Sequence, residues 1–341
     1  MKMKPIAQVL IFSNPRDETT HVVAGKVEKL GGRAFVIHPE ESGSSIFAAV
    51  KLASEQASAR GSIRLGGLTV KLEDVSSIWY RRPRLPEFSG MKEQDRRLAV
   101  SEWDTFWRAL CGIMEPCIWV SDPQNLQGAA RKTVQAAIAT AVGLRIPRTL
   151  ITNDSQEVLA FYGECRGRVV AKPTGPGWVE AEDGAVTCFL TNRVTTNDIH
   201  DESALKVCPV TFQEEIAKDY EIRVNVVGRD VLAVKIESQC SAVSELDWRR
   251  YDTKNTPYSA YVLPRSVEDQ CREITYRLGL NFGAIDLIRT PEGEYVFLEI
   301  NGNGQFLWAE LLSGVDVSGA LAELLVGLRE PLCRRSVEGR R

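Results

Sequence analysis

Two carboxylates and one amide stand in a strand–turn–strand pattern late in the sequence. The stretch Phe282–Phe306 predicts two strands joined by a Pro-Glu-Gly turn, with Asp286 in the first strand and Glu299 and Asn301 ending the second. Because side chains alternate along a strand, the last two are expected on one face. The other face is expected to carry the apolar residues of the second strand, Val296, Leu298 and Ile300.

These oxygen-bearing side chains point to metal chemistry. Two bare carboxylates about 4 Å apart repel by roughly 1 kcal/mol in water and about 4 kcal/mol near a protein surface. A divalent cation removes that penalty, and oxygen-only ligands select Mg²⁺ or Mn²⁺. Mg²⁺ is usually held by one or two carboxylates together with substrate phosphates, so the pattern favours a nucleotide site. The simpler alternative is a hairpin with an exposed glutamate and a turn asparagine.

Lysines occur where phosphate groups could bind. Lys172 ends the predicted strand RVVAK before a glycine-rich segment, where a lysine and backbone N–H groups can contact phosphate oxygens. Lys132 lies on a predicted helix. Either residue could instead be a solvated surface lysine. The sequence contains no G-x-x-x-x-G-K-[ST] loop, and no G-x-G-x-x-G follows a predicted strand.

The segment FQEEIAKDYEIRVNVVG predicts two further strands with polar residues at functional spacing. The end of the first strand is suited to reading an adenine edge through backbone groups; its residues are Gln213, Glu214, Glu215 and Ile216. Glu221 and Arg223 share a face of the second strand, either as a structural ion pair or as part of a phosphate site. Additional charged residues follow at Lys235, Asp247 and Arg249.

A third cationic group follows the apolar strand SIWY. Arg81 and Arg82, with Pro83 stiffening the chain, are spaced to present positive charge to an acidic partner. A solvated strand end is the alternative.

Composition excludes several classes of function. The chain has 341 residues, 44% of them hydrophobic and 26% charged, which is typical of a globular protein with two or three lobes. A net charge of -3 gives no general attraction to nucleic acid or anionic membrane, and no apolar run approaches the roughly 20 residues of a membrane span. The eight cysteines include no C-x-x-C pair, which favours reduced thiols and a cytoplasmic protein.

The order of predicted elements indicates an α/β protein. The N-terminus predicts strand 6–12, helix 19–30 and strand 33–38, the pattern of a parallel unit and not of a signal peptide. A second helix is predicted over 46–59, a hairpin turning on Gly66-Gly67, and a long helix over 91–114. One helix is predicted for residues 125–144, and the second half is rich in strands.

Taken together, the motifs resemble the ATP-grasp superfamily of carboxylate–amine ligases. They are most similar to the ATP-grasp maturases that crosslink ribosomally made peptides, the microviridin-type or graspetide macrocyclases. The resemblance rests on WYRRP at 79–83, the K-x-x-Q helix at 132–135, GLRIPRTLITND at 143–154, VVAKP at 169–173, FQEEIAKDYEIRVNVVG at 212–228, DWR at 247–249, and FGAID with FLEINGNGQF. It implies an N-terminal pre-ATP-grasp domain at 1–125, a small subdomain at 126–211, a large subdomain at 212–330 and a basic tail at 331–341.

The resemblance also implies roles for individual residues. Asp286, Glu299 and Asn301 would bind two Mg²⁺ ions, and Lys132 and Lys172 would contact ATP phosphates. Adenine would lie against Glu214, Glu215 and Ile216, with ribose near Glu221. Arg223, Lys235 and Arg249 would serve the phosphoryl transfer. The acidic peptide would be held by Arg81, Arg82, Asp247 and Arg249.

The reaction implied by the family activates an Asp or Glu side chain of a precursor peptide as an acyl phosphate. Closure by a Ser or Thr hydroxyl gives a lactone, and closure by a Lys amine gives a lactam. The expected partner is a precursor peptide with a leader and an acidic core; a homodimer is left open. Two alternatives stay open: an ATP-grasp ligase that adds glutamate or another amino acid to a protein or small acid, and an ATP-binding regulatory module without ligase activity.

Overall fold

A parallel sheet organises the N-terminal part of the chain. The computed structural model describes residues 6–52, 60–114, 117–120, 122–175, 177–180 and 186–334. In chain order the elements here are β1 Gln8–Phe12, α1 Glu18–Lys29, β2 Arg33–Ile37, β3 Ile46–Lys51, β4 Arg60–Leu65, β5 Leu68–Lys71, β6 Ser77–Tyr80, α2 Glu93–Ile113 and β7 Ile118–Val120. The parallel sheet has the order β2-β1-β6-β7, and β3-β4-β5 form a separate antiparallel sheet.

The middle part contains a small antiparallel sheet. Its elements are α3 Pro123–Ala129, α4 Lys132–Ala141, β8 Thr149–Thr152, α5 Ser155–Glu164, β9 Val169–Lys172, β10 Trp178–Glu180, β11 Val186–Cys188, β12 Asn192–Arg193, α6 Thr196–His200, α7 Glu202–Leu205 and β13 Val210–Glu214. The small sheet has the order β12-β9-β13-β8, while β10 and β11 pair with each other. Its hydrophobic cluster, which includes Val158, Phe161 and Phe212, is separate from the other clusters of the described residues.

The last part is built on a large antiparallel sheet. Its elements are β14 Tyr220–Val227, β15 Asp230–Ile236, β16 Tyr258–Tyr261, α8 Arg265–Arg277, β17 Phe282–Arg289, β18 Tyr295–Asn301, α9 Leu307–Ser313 and α10 Val317–Leu325. The strand order is β16-β15-β14-β17-β18. One face packs on α4 and α8 through a cluster that includes Ile222, Ile274 and Leu287. The residues of the candidate site lie on the other face.

The parallel sheet and the large sheet share a hydrophobic core. Val9 and Ile11 of β1 belong to the same buried cluster as Phe282 of β17 and Leu321 of α10. The intervening Leu10 and Phe12 pack in a different cluster on the opposite face of the parallel sheet. Apolar side chains therefore point both ways from β1, as expected for a parallel strand covered on both faces. The N-terminal domain and the large sheet consequently form one packed platform.

Some predicted elements are wrong in type or extent. Residues 46–51 form a strand and not a helix, because they pair along their whole length with β4; residues 53–59 of that prediction lie outside the described residues. The predicted helix over 125–144 is two helices, α3 and α4. The domain boundary predicted after residue 125 falls inside α3, and the one predicted after residue 211 falls inside β13. Residues 335–341 of the predicted basic tail lie outside the described residues. Within the described ranges, no helix is long and apolar enough to cross a bilayer.

Candidate nucleotide and metal site

The predicted metal ligands lie side by side on one face of the large sheet. Asp286 is paired directly with Glu299, and Ala284 with Asn301. Directly paired residues of antiparallel strands point to the same face, with Cβ atoms about 4.5–5.5 Å apart. The carboxylates of Asp286 and Glu299 therefore face a common space, and the Asn301 amide lies next along the same strand.

The prediction that Val296 and Leu298 lie on the face opposite Glu299 is wrong. The pairing of β17 with β18 shifts between Asp286 and Leu287, which leaves Leu298 as the extra residue of a bulge. The bulge interrupts the strict alternation, so Leu298 lines the cleft together with Glu299, and Val296 packs near it. Ile300 alone of the three faces the opposite core. Bulges commonly redirect side chains beside functional sites in this way.

Three cations surround Glu299. Lys132 Nζ lies 3.8 Å from Glu299 Oε2, and Arg249 Nη1 lies 3.9 Å from Oε1. Burial lowers the pKa of Lys172 to about 8, with nearby Glu299 opposing the shift. Burial also works against ionisation of Glu299, but Lys172 and Lys132 together hold the pKa of its carboxyl below the ordinary value. The site therefore has a concentration of positive charge suited to phosphate groups.

Asp286 is held by an arginine of the neighbouring strand. Arg223 on β14 is paired with Asp286, and its Nη1 donates to both carboxylate oxygens at 2.8 and 2.9 Å. Its Nη2 donates to the carbonyl oxygen of Gln305 at 2.9 Å. Burial raises the pKa of the Asp286 carboxyl, and the charge of Arg223 counteracts that rise.

Asp247 orients Arg249 toward the site. Arg249 Nε donates to Asp247 Oδ1 at 2.8 Å and Nη2 donates to Oδ2 at 2.7 Å, a two-point contact that fixes the plane of the guanidinium. Burial disfavours the charged carboxylate, yet Arg249 holds the pKa of Asp247 below its usual range. The Asp247 carboxylate is thus occupied by Arg249, which makes it a support for that arginine.

Polar contacts join the two sheets across the cleft. The backbone N–H of Thr191, beside the small sheet, donates to Asp247 Oδ2 at 3.1 Å. Arg250 Nη2 donates to the carbonyl oxygen of Thr191 at 2.9 Å. Lys132 Nζ donates to the carbonyl oxygen of Pro173 at 2.8 Å. These contacts hold the two sheets around a single opening.

A cleft lies between the two sheets and is lined by residues of both. Ile216, Ile288 and Leu298 give it an apolar wall. Glu214 and Glu215 lie at its edge, where the chain passes from the small sheet to the large one. Apolar walls suit a flat heteroaromatic ring such as adenine.

Glu221 lies deeper in the cleft with an unsatisfied oxygen. Burial raises the pKa of its carboxyl. Oε1 accepts a hydrogen bond from Lys218 Nζ at 3.1 Å, whereas the buried Oε2 has no partner. A buried oxygen that lacks a partner is costly and is ready to accept a donor such as a sugar hydroxyl.

Two site predictions are wrong in placement. Lys235 is paired with Ile222, so it lies on the face opposite Arg223, where its Nζ contacts the Tyr220 ring at 4.0 Å and Glu237 at 2.5 Å. The register of β15 on β14 determines this face, and the resemblance that implied a role for Lys235 carries no information on that register. Arg81 is fully buried and its guanidinium bonds only to other parts of the chain, so it does not reach a peptide.

Arg82 is exposed, and its Nη2 donates to the carbonyl oxygen of Asn303 at 2.9 Å.

Three residues that support the site have no role predicted from the sequence. Lys218 joins Glu221 to the carbonyl oxygen of Leu246. Gln135 exchanges hydrogen bonds with both backbone groups of Ile300, which fixes the end of β18. The only available sequence signal was the K-x-x-Q spacing, since one turn of α4 places Gln135 beside Lys132. The third is Gln305, described below.

The residues fit a hard divalent cation that is completed by phosphate. Asp286, Glu299 and Asn301 supply only oxygen atoms, and they face Lys132 and Lys172 across the opening. Among the described residues, no group of three or more His, Cys, Asp or Glu side chains could hold a metal alone. Two carboxylates and an amide leave coordination positions open, as is usual for Mg²⁺ sites that share ligands with a nucleotide.

Comparisons with known proteins agree with this geometry. Residues 8–127 match the family model of the MvdD pre-ATP grasp domain. The macrocyclase MdnC from Microcystis aeruginosa MRC, whose structure contains the precursor peptide MdnA, is 30% identical; the match covers 94% of this chain and 99% of that one, with a TM-score of 0.81.

Two other structures extend the comparison. A RiPP-associated ATP-grasp ligase from Chryseobacterium gregarium, in complex with ADP and a leader and core peptide, is 27% identical over 97% of this chain and 100% of that one, with a TM-score of 0.88. The ATP-grasp ligase PsnB, in complex with a minimal precursor variant, Mg and ADP, shares the fold at 23% identity, 94% and 98% coverage and a TM-score of 0.73. Similarity over almost the full length, together with the matched N-terminal domain, shows that this chain belongs to the ATP-grasp ligases of the RiPP macrocyclase type.

Proposed function

We propose that this protein is an ATP- and Mg²⁺-dependent macrocyclase that joins side chains within an acidic precursor peptide. The observation that carries the proposal is the pairing of Asp286 and Glu299 on one sheet face, opposed by Lys132, Lys172 and Arg249. A cation-lined opening beside two carboxylates suits a metal-bound triphosphate and an anionic acceptor. Relatives described with precursor peptides support the choice of acceptor.

The positions of the residues support a role for each. Adenine would lie against Ile216 and the backbone of Glu214 and Glu215, with Glu221 accepting from ribose. Lys132 and Lys172 would contact the phosphates. Bound Mg²⁺, one ion or two, would neutralise phosphate charge beside Asp286, Glu299 and Asn301.

The acceptor carboxylate would lie near the arginines. Arg249, oriented by Asp247, and the exposed Arg82 would attract the peptide's Asp or Glu side chain, and Arg223 would face the transferred phosphoryl group. The carboxylate oxygen forms a bond to the γ-phosphorus while the bond to ADP breaks. A Ser or Thr oxygen, or a Lys nitrogen, then bonds to the acyl carbon, phosphate leaves with the former carboxylate oxygen, and the nucleophile loses its proton. The peptide has lost one water for each ring. Positioning and charge neutralisation supply the catalysis, so no histidine or serine nucleophile of the protein is required.

Mass spectrometry tests this function. The protein is incubated with ATP, Mg²⁺ and the acidic Ser/Thr- or Lys-bearing peptide encoded nearest its gene, with and without hydroxylamine. We expect loss of one water per ring, and hydroxylamine should trap the acyl phosphate as a hydroxamate. Fragmentation then distinguishes esters from amides.

Matched variants localise the activity. Glu299→Gln should abolish ring formation, whereas Glu294→Gln, at the other end of the same hairpin and paired with Arg145, should retain it. A mass gain that requires a free amino acid would indicate an amino-acid ligase instead. Binding of ATP without turnover on any acceptor would indicate a regulatory module.

We also infer that the protein acts in the cytoplasm, where ATP is available and its cysteines stay reduced. Recovery of the protein in a secreted or membrane fraction would contradict this inference.

A further inference from the structure

Arg81 links the N-terminal domain to the loop that follows the metal-site strand. It follows β6 directly and is fully buried. Arg81 Nε donates to Asp17 Oδ2 at 3.0 Å, and Asp17 Oδ1 in turn accepts from the backbone N–H of Thr19 at the start of α1. The guanidinium is therefore held in one orientation by a residue of its own domain.

The remaining donors of Arg81 form hydrogen bonds with the loop after β18. Nη1 donates to the carbonyl oxygens of Asn303 at 2.7 Å and Gly304 at 3.1 Å, and Nη2 donates to Gln305 Oε1 at 2.5 Å. From the other side, Arg223 donates to the carbonyl oxygen of Gln305 while holding Asp286. Arg82 donates to the same Asn303 carbonyl oxygen, so three arginines from two domains hold three consecutive loop residues.

The same loop begins at Asn301. The Asn301 side-chain oxygen accepts from the backbone N–H of Asn303 at 2.9 Å, and the backbone N–H of Gly304 donates to the Asn301 carbonyl oxygen at 3.1 Å. The orientation of the Asn301 amide therefore depends on the path of residues 303 and 304. Groups that orient a metal ligand without touching the metal commonly change metal affinity by about 10–100-fold when removed.

We propose that Arg81 is a positioning residue for the metal site: it fixes the loop from Asn303 to Gln305 so that Asn301 faces Asp286 and Glu299. This rests on the proposed function only in assigning Mg²⁺ and a nucleotide to that site. The N-terminal domain thereby takes part in building the metal site, through a side chain that touches neither metal nor peptide.

Calorimetry of ADP binding with and without Mg²⁺ tests the proposal. The quantity measured is the factor by which Mg²⁺ tightens ADP binding. Arg81→Lys and Gln305→Leu should each lower that factor, the former by about tenfold or more. Affinity for ADP without Mg²⁺ should be unchanged, because adenine and phosphate contacts lie elsewhere in the cleft. Arg108→Lys is the matched control: this arginine is also paired with an aspartate, Asp104, but its side chain is exposed on α2.

The outcomes separate the possibilities. An unchanged factor in folded Arg81→Lys and Gln305→Leu proteins would overturn the proposal. Equal loss of ADP affinity with and without Mg²⁺ would also overturn it, because that result indicates a general structural defect. If Arg81→Lys fails to fold, the result for Gln305→Leu alone tests the proposal. That variant removes the Gln305 side-chain oxygen that accepts from Arg81 and leaves the ion pair between Arg81 and Asp17 intact. The calorimetry needs no peptide. If the protein fails to cyclise a peptide but these variants still lower the factor by which Mg²⁺ tightens ADP binding, the proposed function is refuted and the role of Arg81 is not.

Discussion

The lowered pKa of Lys172 makes nucleotide binding depend on pH in a defined direction. Burial lowers this pKa from the ordinary 10.5 to about 8, and the charges of Lys132 and Arg249 act in the same direction. At pH 9, Lys172 of the free protein is about nine-tenths neutral. A bound phosphate favours the charged amine and raises its pKa, so ADP binding takes up a proton above pH 8.

The expected size of the change in ADP affinity follows from this linkage between ADP binding and proton binding. Affinity for ADP should be nearly constant from pH 6.5 to 7.5 and should then fall by up to about tenfold per pH unit above pH 8. Calorimetry in buffers of different ionisation heat measures both the affinity and the proton uptake. The ligand-free protein should show the matching change in stability: its free energy of unfolding rises between about pH 8 and 10.5, because the folded state releases the Lys172 proton first.

A substitution provides the control for this prediction. Lys172→Arg keeps the positive charge at all these pH values, so the dependence on pH should flatten. Any dependence of ADP affinity on pH that remains should disappear in the double variant Lys172→Arg/Lys132→Arg, because burial lowers the pKa of Lys132 as well. Constant ADP affinity through pH 9.5 in the unmodified protein, without proton uptake, would refute the placement of Lys172 against the phosphates.

Three further predictions concern local packing. Gly304→Ala should destabilise the protein by about 1–3 kcal/mol and sharply reduce turnover, because the new Cβ would lie 2.4 Å from the Ala284 Cβ; normal melting and turnover would contradict this. Gly112→Ala in α2, where a Cβ meets nothing within 4 Å, should instead raise the unfolding free energy by about 0.5–1 kcal/mol in denaturant titration. Gln135→Leu should cost about 1–3 kcal/mol, since both backbone groups of Ile300 lose their buried partner; an unchanged denaturation midpoint would refute that account.

The sequence was sufficient to predict the carboxylate pair because local alternation determines it. A strand of alternating polar and apolar residues has one polar face, and the Pro-Glu-Gly turn allows only antiparallel pairing of its neighbours. Asp286 and Glu299 are accordingly paired. The bulge at Leu298 was not predictable, since an extra residue in one strand shows only when its partner's register is known.

Longer-range errors have the same origin. The resemblance implies a role for Lys235 in the site, but the face on which this lysine lies is determined by the pairing of β15 with β14. The helix predicted over 46–59 satisfied a local pattern that the hairpin β4–β5 overrides. Arg81 was identified as functional, but its burial depends on a loop more than 200 positions away in the sequence. Information of this kind is absent from short windows of sequence.

The polar character of the bridge between the two sheets has a kinetic consequence. The contacts of Thr191 with Asp247 and Arg250, and of Lys132 with Pro173, are hydrogen bonds that water can replace. Each joins a charged group to a polar one and contributes a net free energy of about 1.5–3 kcal/mol. Separating the small sheet from the large one breaks these polar contacts, whereas separating the N-terminal domain from the large sheet would expose a buried apolar core. Nucleotide exchange is expected to proceed by loosening the small sheet alone, while the platform carrying the acceptor-side arginines stays assembled.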